Sequence, residues 1–300
     1  MKHNKKIIKQ TANERPISRS FTYAISRLDE KNWPTELNNL RDILTYQNPS
    51  FPEPGEIDPI DLIKFMLIAF HKESTINKNK TPENPYFFTP ETPSVLNYDK
   101  SLEEYCLFSQ NYKSCVSDFF FGTYEITRFC NSCRRKKFYF RNFLYLIFNI
   151  DEALKKGLSE NNNLLISYFQ KQQSLVINNK TFCSFCSNMT FHQESKKFFT
   201  LPYNLIISFK GEKQNNNSLL KYPISLDLSS LNLKSGMPVY NLKGVIKSYV
   251  NNGKKYYICI YEDFTKKKWI ISDGYSKNFY NSPLDHLIGD VVMIFYSSLN

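Results

Sequence analysis

The sequence predicts an α+β fold in which a helical region comes first and a long antiparallel β region follows. Over the first seventy residues, apolar side chains recur at the spacing of amphipathic helices. After residue 117 the chain changes to short aromatic and β-branched segments that are bounded by turn residues. Two Cys-x-x-Cys pairs lie inside this second region. A chain of 300 residues is long enough to bury a substantial core, as one large domain or as two closely associated lobes.

Three helices are predicted in the first part of the chain. Apolar residues at helical spacing between residues 17 and 46 indicate two of them, and we expect Pro34 to separate the two. The third opens at Asp58, a residue type that caps helices well, with Pro59 in the first helical position. Its strongly apolar pattern continues to His71.

A proline-rich insert separates these helices from the β region. Residues 72–99 carry four prolines among polar residues and show no periodicity, and a short helix is predicted around Leu102–Phe108. Two small helices are also predicted, at residues 151–158 and 163–170. The predicted strands lie within residues 117–129, 136–150, 198–211, 222–228, 240–250, 254–263, 268–274 and 290–299.

The two cysteine pairs have the spacing of metal knuckles. Cys130 and Cys133 form the first pair and Cys183 and Cys186 the second, and together they supply the four thiolates that a structural Zn²⁺ ion prefers. Residues 134–182 separate the pairs, which is wider than in a compact zinc ribbon, so we expect one ion to tie two distant strands together. The alternatives are ordinary reduced cysteines and a redox-active dithiol.

Composition narrows the classes of function and the compartment. An odd total of seven cysteines favours a reducing compartment, the cytoplasm or the nucleus. No apolar run is long enough for a membrane helix, and the basic N-terminus lacks the apolar stretch of a signal peptide, so no membrane association is expected. The net charge of +11 leaves nucleic-acid binding as a weak hypothesis. The basic clusters are short and scattered, and an AT-rich coding sequence would produce the same lysine-rich composition without selection for binding.

In order and spacing, several segments resemble the ubiquitin-specific protease family of deubiquitinases, the ubiquitin carboxyl-terminal hydrolases, from Ile17 to Tyr296. The resemblance is carried by the Asp58–Glu73 helix, the Phe-x-Gly strand with the first cysteine pair, the second cysteine pair, the Leu-Pro segment Phe198–Gly211, the Tyr-Pro segment Tyr222–Leu228, and the strands from residue 239 to Tyr296.

The resemblance implies a papain-like cysteine protease hand that occupies residues 1–300 as a single domain. It assigns a helical thumb to residues 17–116 with the insert at 72–99, zinc-tied β fingers mostly to 117–200, and an antiparallel β palm to 201–300. Family activity is thiol-dependent hydrolysis of ubiquitin isopeptide bonds by a Cys-His-Asp/Asn triad. Ubiquitin or a ubiquitinated protein is therefore the implied partner.

The family triad is incomplete in this sequence. The nucleophile box would precede Ile17, yet the first cysteine in the chain is Cys106, so the resemblance assigns no nucleophile. Tyr256 stands at the position of the family histidine, and a free phenol is a poor base because it stays protonated up to about pH 10. Asp273, four residues after Trp269, keeps the position of the acid, although Asp-Gly is also common in turns.

Three functional hypotheses follow from the resemblance. The leading one is an inactive pseudo-deubiquitinase that binds ubiquitin or serves as a scaffold for a partner protein. The second is an active cysteine deubiquitinase whose nucleophile box is missing from this sequence because of an incorrect gene boundary. The third is an RNA-associated pseudo-deubiquitinase scaffold, for which the basic charge is the only support.

Overall fold

The structure, a computed structural model, describes residues 17–26, 33–49, 51, 57–75, 97–155, 164–211, 222–231, 233–252, 254–263, 266–273, 277–282 and 290–298. Most of the predicted insert at 72–99 lies outside the described residues.

The chain divides into two compact units, Met1–Thr81 with Ser114–Val116, and Pro82–Lys113 with Ser117–Asn300. The helices are α1 Ile17–Ser26, α2 Trp33–Gln47, α3 Pro59–Ser74, α4 Tyr98–Asn111, α5 Cys115–Phe120, α6 Ile150–Lys155 and α7 Leu164–Ser174, with a 3-10 turn at Ser229–Leu231. Within the described part of the chain, every helix is too short or too polar to cross a bilayer.

The first unit is built on α1, α2 and α3. Ile17, Ala24 and Leu40 belong to its buried apolar cluster. The backbone amides of Ile17 and Ser18 donate to the Glu73 carboxylate at 2.7 and 2.9 Å, so this acid near the end of α3 holds the N-terminus of α1. A carboxylate is well suited to that position because a helix N-terminus has unpaired amides and a positive dipole end.

The helix starts of the first unit agree only partly with the sequence analysis. Asp58 caps α3 as predicted, with its Oδ1 accepting from the amide of Ile60 at 2.8 Å and with Pro59 in the first position. The expectation that Pro34 separates two helices is wrong, because Pro34 is the second residue of α2. Proline is tolerated there, since first-turn amides have no partner inside the helix.

The second unit contains two β-sheets. Its strands are β1 Gly122–Cys130, β2 Lys136–Phe143, β3 Leu146–Asn149, β4 Val176–Cys183, β5 Asn188–Thr200, β6 Asn204–Lys210, β7 Ser225–Asp227, β8 Val239–Asn251, β9 Lys254–Asp263, β10 Lys268–Ser272, β11 Lys277–Tyr280 and β12 Val291–Ser297. A four-stranded antiparallel sheet has the order β2-β1-β5-β4, and we call it the fingers sheet. The second sheet has the order β11-β10-β9-β8-β12-β6-β3, with β7 paired to β8. All of its pairs are antiparallel except β3 with β6, which is parallel.

Two helices cover opposite faces of the fingers sheet. On one face the rings of Tyr98 and Tyr105 from α4 pack on Phe138 and Phe140 of β2. On the other face α7 packs against β5, where the Gln173 side chain accepts from the amide of Phe198 at 3.0 Å. The distal end of the sheet, where the two Cys-x-x-Cys turns lie, extends beyond these contacts.

The largest apolar core lies along the eight-stranded sheet. Phe148, Leu205 and Ile207 are among its fully buried side chains. The hydroxyls of two buried tyrosines find backbone acceptors, since Tyr240 donates to the carbonyl of Pro202 and Tyr296 to that of Pro223. These bonds satisfy phenol groups whose burial without a partner would be costly.

Gly122 is the glycine of the Phe-x-Gly segment and opens β1, with one residue between it and the end of α5. A Cβ atom at this position would overlap the ring of Phe143, its partner on β2. That ring cannot move away easily because it is buried between the rings of Tyr124 and Phe198. The close approach of backbone and ring therefore requires glycine.

We expect Gly122→Ala to destabilise the protein by about 1–3 kcal/mol through overpacking. The check is the urea concentration at half-unfolding. The double variant Gly122→Ala/Phe143→Leu should be less destabilised than the sum of the two single changes, because the smaller side chain makes room for the methyl group. An unchanged midpoint for Gly122→Ala would show that the ring moves freely.

Candidate functional site

The four predicted cysteines meet at one point at the distal end of the fingers sheet. The Sγ atoms of Cys130 and Cys186 are 3.8 Å apart and those of Cys133 and Cys183 are 3.9 Å apart. All four sulfur atoms lie within 4.8 Å of one another. A tetrahedron with Zn–S bonds of about 2.3 Å requires S···S separations of about 3.8 Å, so this donor set fits a single zinc ion.

Two similar turns aim these cysteines inward. One turn joins β1 to β2 and the other joins β4 to β5, so each contributes the two cysteines of one pair. The residue directly after each second cysteine has a left-handed backbone, with φ of 61° at Arg134 and 51° at Ser187. In the first turn the amide of Cys130 donates to the carbonyl of Arg135 at 2.9 Å, which closes the loop.

The pKa values of the thiols and the repulsion between the thiolates favour the binding of a cation. Desolvation raises the pKa of Cys130, but hydrogen bonds from Thr190 and from the amides of its own turn outweigh it and bring the pKa to about 5. Amides of the second turn lower the pKa of Cys183 in the same way, against its desolvation. For Cys186, desolvation and the neighbouring sulfur atoms raise the pKa to about 12. Four converging thiolates repel one another, and a divalent cation removes that repulsion.

Two basic side chains in and just after the first turn contact residues of the second turn. The Arg135 guanidinium lies 4.6 Å and the Lys137 ammonium 5.2 Å from the centre of the Phe185 ring. Lys137 also donates to the Ser184 hydroxyl at 2.7 Å, which links the two turns. Four thiolates around one Zn²⁺ leave two formal negative charges, and positive charges beside these turns favour such a centre.

Tyr256 and Asp273 are the residues that the resemblance assigns to the base and acid positions of the triad. Tyr256 lies in the eight-stranded sheet, and Asp273 follows one of its strands. Tyr256 is in β9, where it pairs with Tyr249 of β8, and the two rings stack with centroids 5.4 Å apart. The Tyr256 side chain is 42% exposed. Asp273 follows β10 directly and is also exposed.

The strand register brings these two positions to the same face. Ser272 pairs with Cys259, so one further step along the register sets Asp273 opposite Ile258. Successive side chains alternate between faces, which puts Tyr256 and Asp273 on one face at a diagonal spacing of about 7–8 Å. This is an arrangement that a base and its orienting acid could use. Cys259 faces the other way, and desolvation raises the pKa of its thiol, so it is not an activated nucleophile.

Other histidines and thiols of the described residues have structural contacts. His71 Nδ1 lies 2.6 Å from the Ser114 hydroxyl, and His192 Nδ1 lies 2.9 Å from the hydroxyl of Thr181. Cys115 donates to the hydroxyl of Ser74 at 3.5 Å. None of these three hydrogen bonds joins a cysteine to a histidine. His192 is opposite Cys130 in the β1–β5 register, but that thiol belongs to the four-cysteine cluster.

A cavity of about 360 Å³ at the base of the fingers sheet was not found by sequence analysis. Tyr124, Lys196, Glu152 and Tyr168 contribute to its lining. The Lys196 ammonium lies 4.5 Å from the centre of the Tyr124 ring. Desolvation lowers the pKa of Lys196, and the positive charge of Arg141 adds to that shift.

The lining of this cavity also contains an acid. The Glu152 carboxylate accepts from the Tyr168 hydroxyl at 3.0 Å and from the Gln172 amide at 3.1 Å. The cavity residues come from β1, β3, β5, α6 and α7, far apart in sequence. No local motif marks such a surface, and for that reason the cavity could not be predicted.

The described residues combine helices with two β-sheets, and one of these sheets ends in four converging cysteines. The sequence matches the ubiquitin carboxyl-terminal hydrolase family over residues 1–280, and the chain belongs to that family. The predicted family and fold class are thereby confirmed.

Solved structures with the same fold come from a multiprotein assembly. The chain is similar to a SAGA Ubp8/Sgf11/Sus1/Sgf73 DUB module that contains a point mutant of Ubp8, with a TM-score of 0.64 and 15% identity, over 96% of this chain and 60% of that one. It is similar to the module bound to ubiquitin aldehyde, with a TM-score of 0.62 and 15% identity, over 94% and 59% of the two chains. A yeast SAGA DUB module with a point mutant of Sgf73 gives 0.62 and 13%, over 94% and 58%. The chain thus spans about 60% of the length of the chains it matches.

Proposed function

We propose that this chain binds ubiquitin through a zinc-tied hand and does not hydrolyse isopeptide bonds. The observation that supports the absence of hydrolysis is Tyr256, which stands at the position of the family base. Its ring stacks on Tyr249 in a regular strand pair, so the strand keeps its form while the imidazole is replaced by a phenol. Asp273 keeps the position of the acid that would orient that imidazole. In a serine protease, loss of the base alone costs about a millionfold in turnover.

The proposed hand has three parts. Residues 17–116 form the thumb, 117–200 mostly form the fingers, and 201–300 form the palm. A single Zn²⁺ held by Cys130, Cys133, Cys183 and Cys186 ties the two turns of the fingers together. The fit of the sulfur separations to a tetrahedron supports this ion.

Support for ubiquitin as the partner comes from the family and from the fold, which the chain shares with a DUB module bound to ubiquitin aldehyde. We assign the ubiquitin surface to the face of the fingers sheet that is opposite α4, next to the place where α7 packs on that same face. That face carries the cavity at the base of the sheet, the Lys196 side chain, and the ion pair of Arg128 with Glu194 at 2.8 Å. Paired charges and partly exposed rings around a concavity are typical of protein docking surfaces.

The compartment and assembly follow from the same features. Thiolate ligands and free thiols fit the cytoplasm or the nucleus, where cysteines stay reduced. The fold is shared with a subunit of a multiprotein DUB module, and a non-hydrolysing member would act as a scaffold that presents ubiquitin or a ubiquitinated protein.

A ubiquitin derivative with a C-terminal electrophile tests the absence of hydrolysis. We expect the intact mass of the native protein to remain unchanged after incubation with this probe, because a phenol stands at the position of the family base and Cys130, Cys133, Cys183 and Cys186 are the proposed zinc ligands. Labelling of an active deubiquitinase under the same conditions is the positive control. A stoichiometric ubiquitin adduct on the native full-length protein would establish the alternative, an active cysteine deubiquitinase whose nucleophile lies outside this sequence.

A further inference from the structure

The outer strand of the fingers sheet has features of a docking edge. Among the described strands, β4 pairs only with β5, so its other side presents backbone amides and carbonyls along eight residues, Val176–Cys183. Natural proteins usually protect such an edge with a short strand, a proline or a row of charges. This strand carries no proline, a single lysine, and three exposed apolar side chains, Val176, Ile177 and Phe182.

The apolar surface continues from the edge onto β5. Phe182 pairs with Met189, and Phe191 pairs with Lys180, so all four side chains lie on one face. Phe182 is 62%, Met189 50% and Phe191 57% exposed. Methionine and aromatic residues of this kind are enriched where proteins bind one another, and a continuous exposed group of them needs an explanation.

The distal part of the fingers sheet carries only basic charged residues. Residues 126–141 and 176–193 contain seven lysines and arginines and no aspartate or glutamate. On the apolar face the Lys180 ammonium lies 6.0 Å from the centre of the Phe191 ring, and the Arg134 guanidinium lies 5.9 Å from that of Phe129. A partner for this surface must therefore combine apolar side chains with acidic ones.

We propose that β4 is the docking edge for an extended acidic segment of a partner protein, which adds to the fingers sheet as a fifth strand. Backbone hydrogen bonds to β4 supply affinity, and alternate side chains supply specificity. In this arrangement an apolar residue of the segment lies opposite Phe182, and an acid two residues away lies opposite Lys180. A second copy of this chain is disfavoured as the occupant, because its own β4 would bring another lysine to the same basic surface.

This docking edge is separate from the proposed ubiquitin surface. Phe182, Met189 and Phe191 lie on the face of the sheet that α4 covers nearer its base, whereas Lys196 and the cavity lie on the opposite face. The two proposals can therefore fail independently, and substitutions at one surface serve as controls for the other.

The probe for this edge is a fluorescein-labelled peptide, Thr-Val-Thr-Glu-Thr-Val-Thr, titrated with the zinc-loaded protein and followed by fluorescence anisotropy. Its glutamate has a valine two residues away on either side, so it can meet Lys180 and Phe182 in either strand direction. We expect saturable binding that falls about tenfold in Phe182→Glu. Phe279→Glu, at an exposed phenylalanine on β11 at the edge of the other sheet, is the matched control and should leave binding unchanged.

Two further comparisons distinguish strand addition from simple charge attraction. Only alternate amides of an added strand face β4, so of two peptides methylated on alternate backbone nitrogens, one should lose binding and the other should keep it. Lys180→Glu should prefer a peptide with lysine in place of glutamate by about threefold to fivefold, the size of a cross-strand charge pair.

Several results would overturn the proposal. They are absence of peptide binding, equal binding by both methylated peptides, or a Phe182→Glu variant that binds as well as the unaltered protein. A labelled oligouridylate that binds the same surface and displaces the peptide would instead assign the surface to single-stranded nucleic acid. Concentration-dependent dimerisation that Phe182→Glu abolishes would assign it to a second copy of the chain.

Discussion

Removal of the metal from the four-cysteine centre is expected to unfold the distal part of the fingers sheet. In the absence of a cation the four sulfur atoms, which lie within 4.8 Å of one another, cannot all be ionised, and their repulsion opposes closure of the two turns. Few apolar contacts replace the metal there, because Phe182, Met189 and Phe191 are exposed. Structural zinc contributes about 10 kcal/mol to the folding of small metal-bound modules, so the loss should be large.

Zinc content and amide hydrogen exchange measure this effect together. The native protein should hold one zinc per chain, and Cys130→Ser should abolish tight binding and increase exchange in β1, β2, β4 and β5. Cys106→Ser removes an exposed thiol of α4 outside the centre and should change neither quantity. One zinc per chain in Cys130→Ser, with unchanged exchange, would contradict the assignment of the ligands.

The second large effect is the loss of stability of the helical unit at mildly acidic pH because of His71. This side chain is 1% exposed, and desolvation, aided by the positive charge of Lys72, lowers its pKa from 6.5 to about 4. Above pH 6.5 the imidazole is neutral in both folded and unfolded chains, and it contributes no pH dependence. As the pH falls from 6.5 to 4, the unfolded chain takes up a proton that the folded chain does not, so stability falls by about 3 kcal/mol.

Urea unfolding followed at several pH values between 4 and 7 tests this expectation. In the native protein the unfolding free energy should decrease as the pH falls through this window. In His71→Asn, which cannot titrate but can still bond to Ser114, that part of the slope should disappear. A direct NMR titration should give an imidazole pKa well below 6.5. A normal imidazole pKa, or the same slope in His71→Asn, would show that His71 is not the group responsible.

Much of the fold followed from local chemistry in the sequence. The Asp58–Pro59 start of α3 was predictable because capping depends on two adjacent residues, and the four cysteines were predictable because metal ligation imposes its spacing.

Other elements depend on tertiary contacts that the local sequence does not report. The segment before Gly122 reads as a strand because it is aromatic, yet residues Cys115–Phe120 form the short helix α5, so the expectation of one strand over 117–129 is wrong in its first part. Strand β4 was not predicted, because Asn178, Asn179 and Lys180 have low strand propensity and the strand is held by pairing to β5.

The residues of the candidate sites also fall into a group that could be predicted from the sequence and a group that could not. The cysteines and the two triad positions could be assigned by spacing and resemblance, whereas the cavity around Lys196 and Glu152 could not. Its residues come together only through the packing of α6 and α7 near the base of the fingers sheet. The roles of Tyr256 and Asp273 stay predictions, although the register puts both on one face.

In the proposed complex, ubiquitin binds to the face of the fingers sheet that is opposite α4. Calorimetric titration of ubiquitin into the zinc-loaded protein tests this binding most directly. Lys196→Glu is the variant, and Lys180→Glu, on the other face, is the matched control. We expect saturable binding of one ubiquitin per chain, weakened about tenfold by Lys196→Glu and unchanged by Lys180→Glu. Absence of binding, or equal weakening by both substitutions, would contradict the proposed ubiquitin surface.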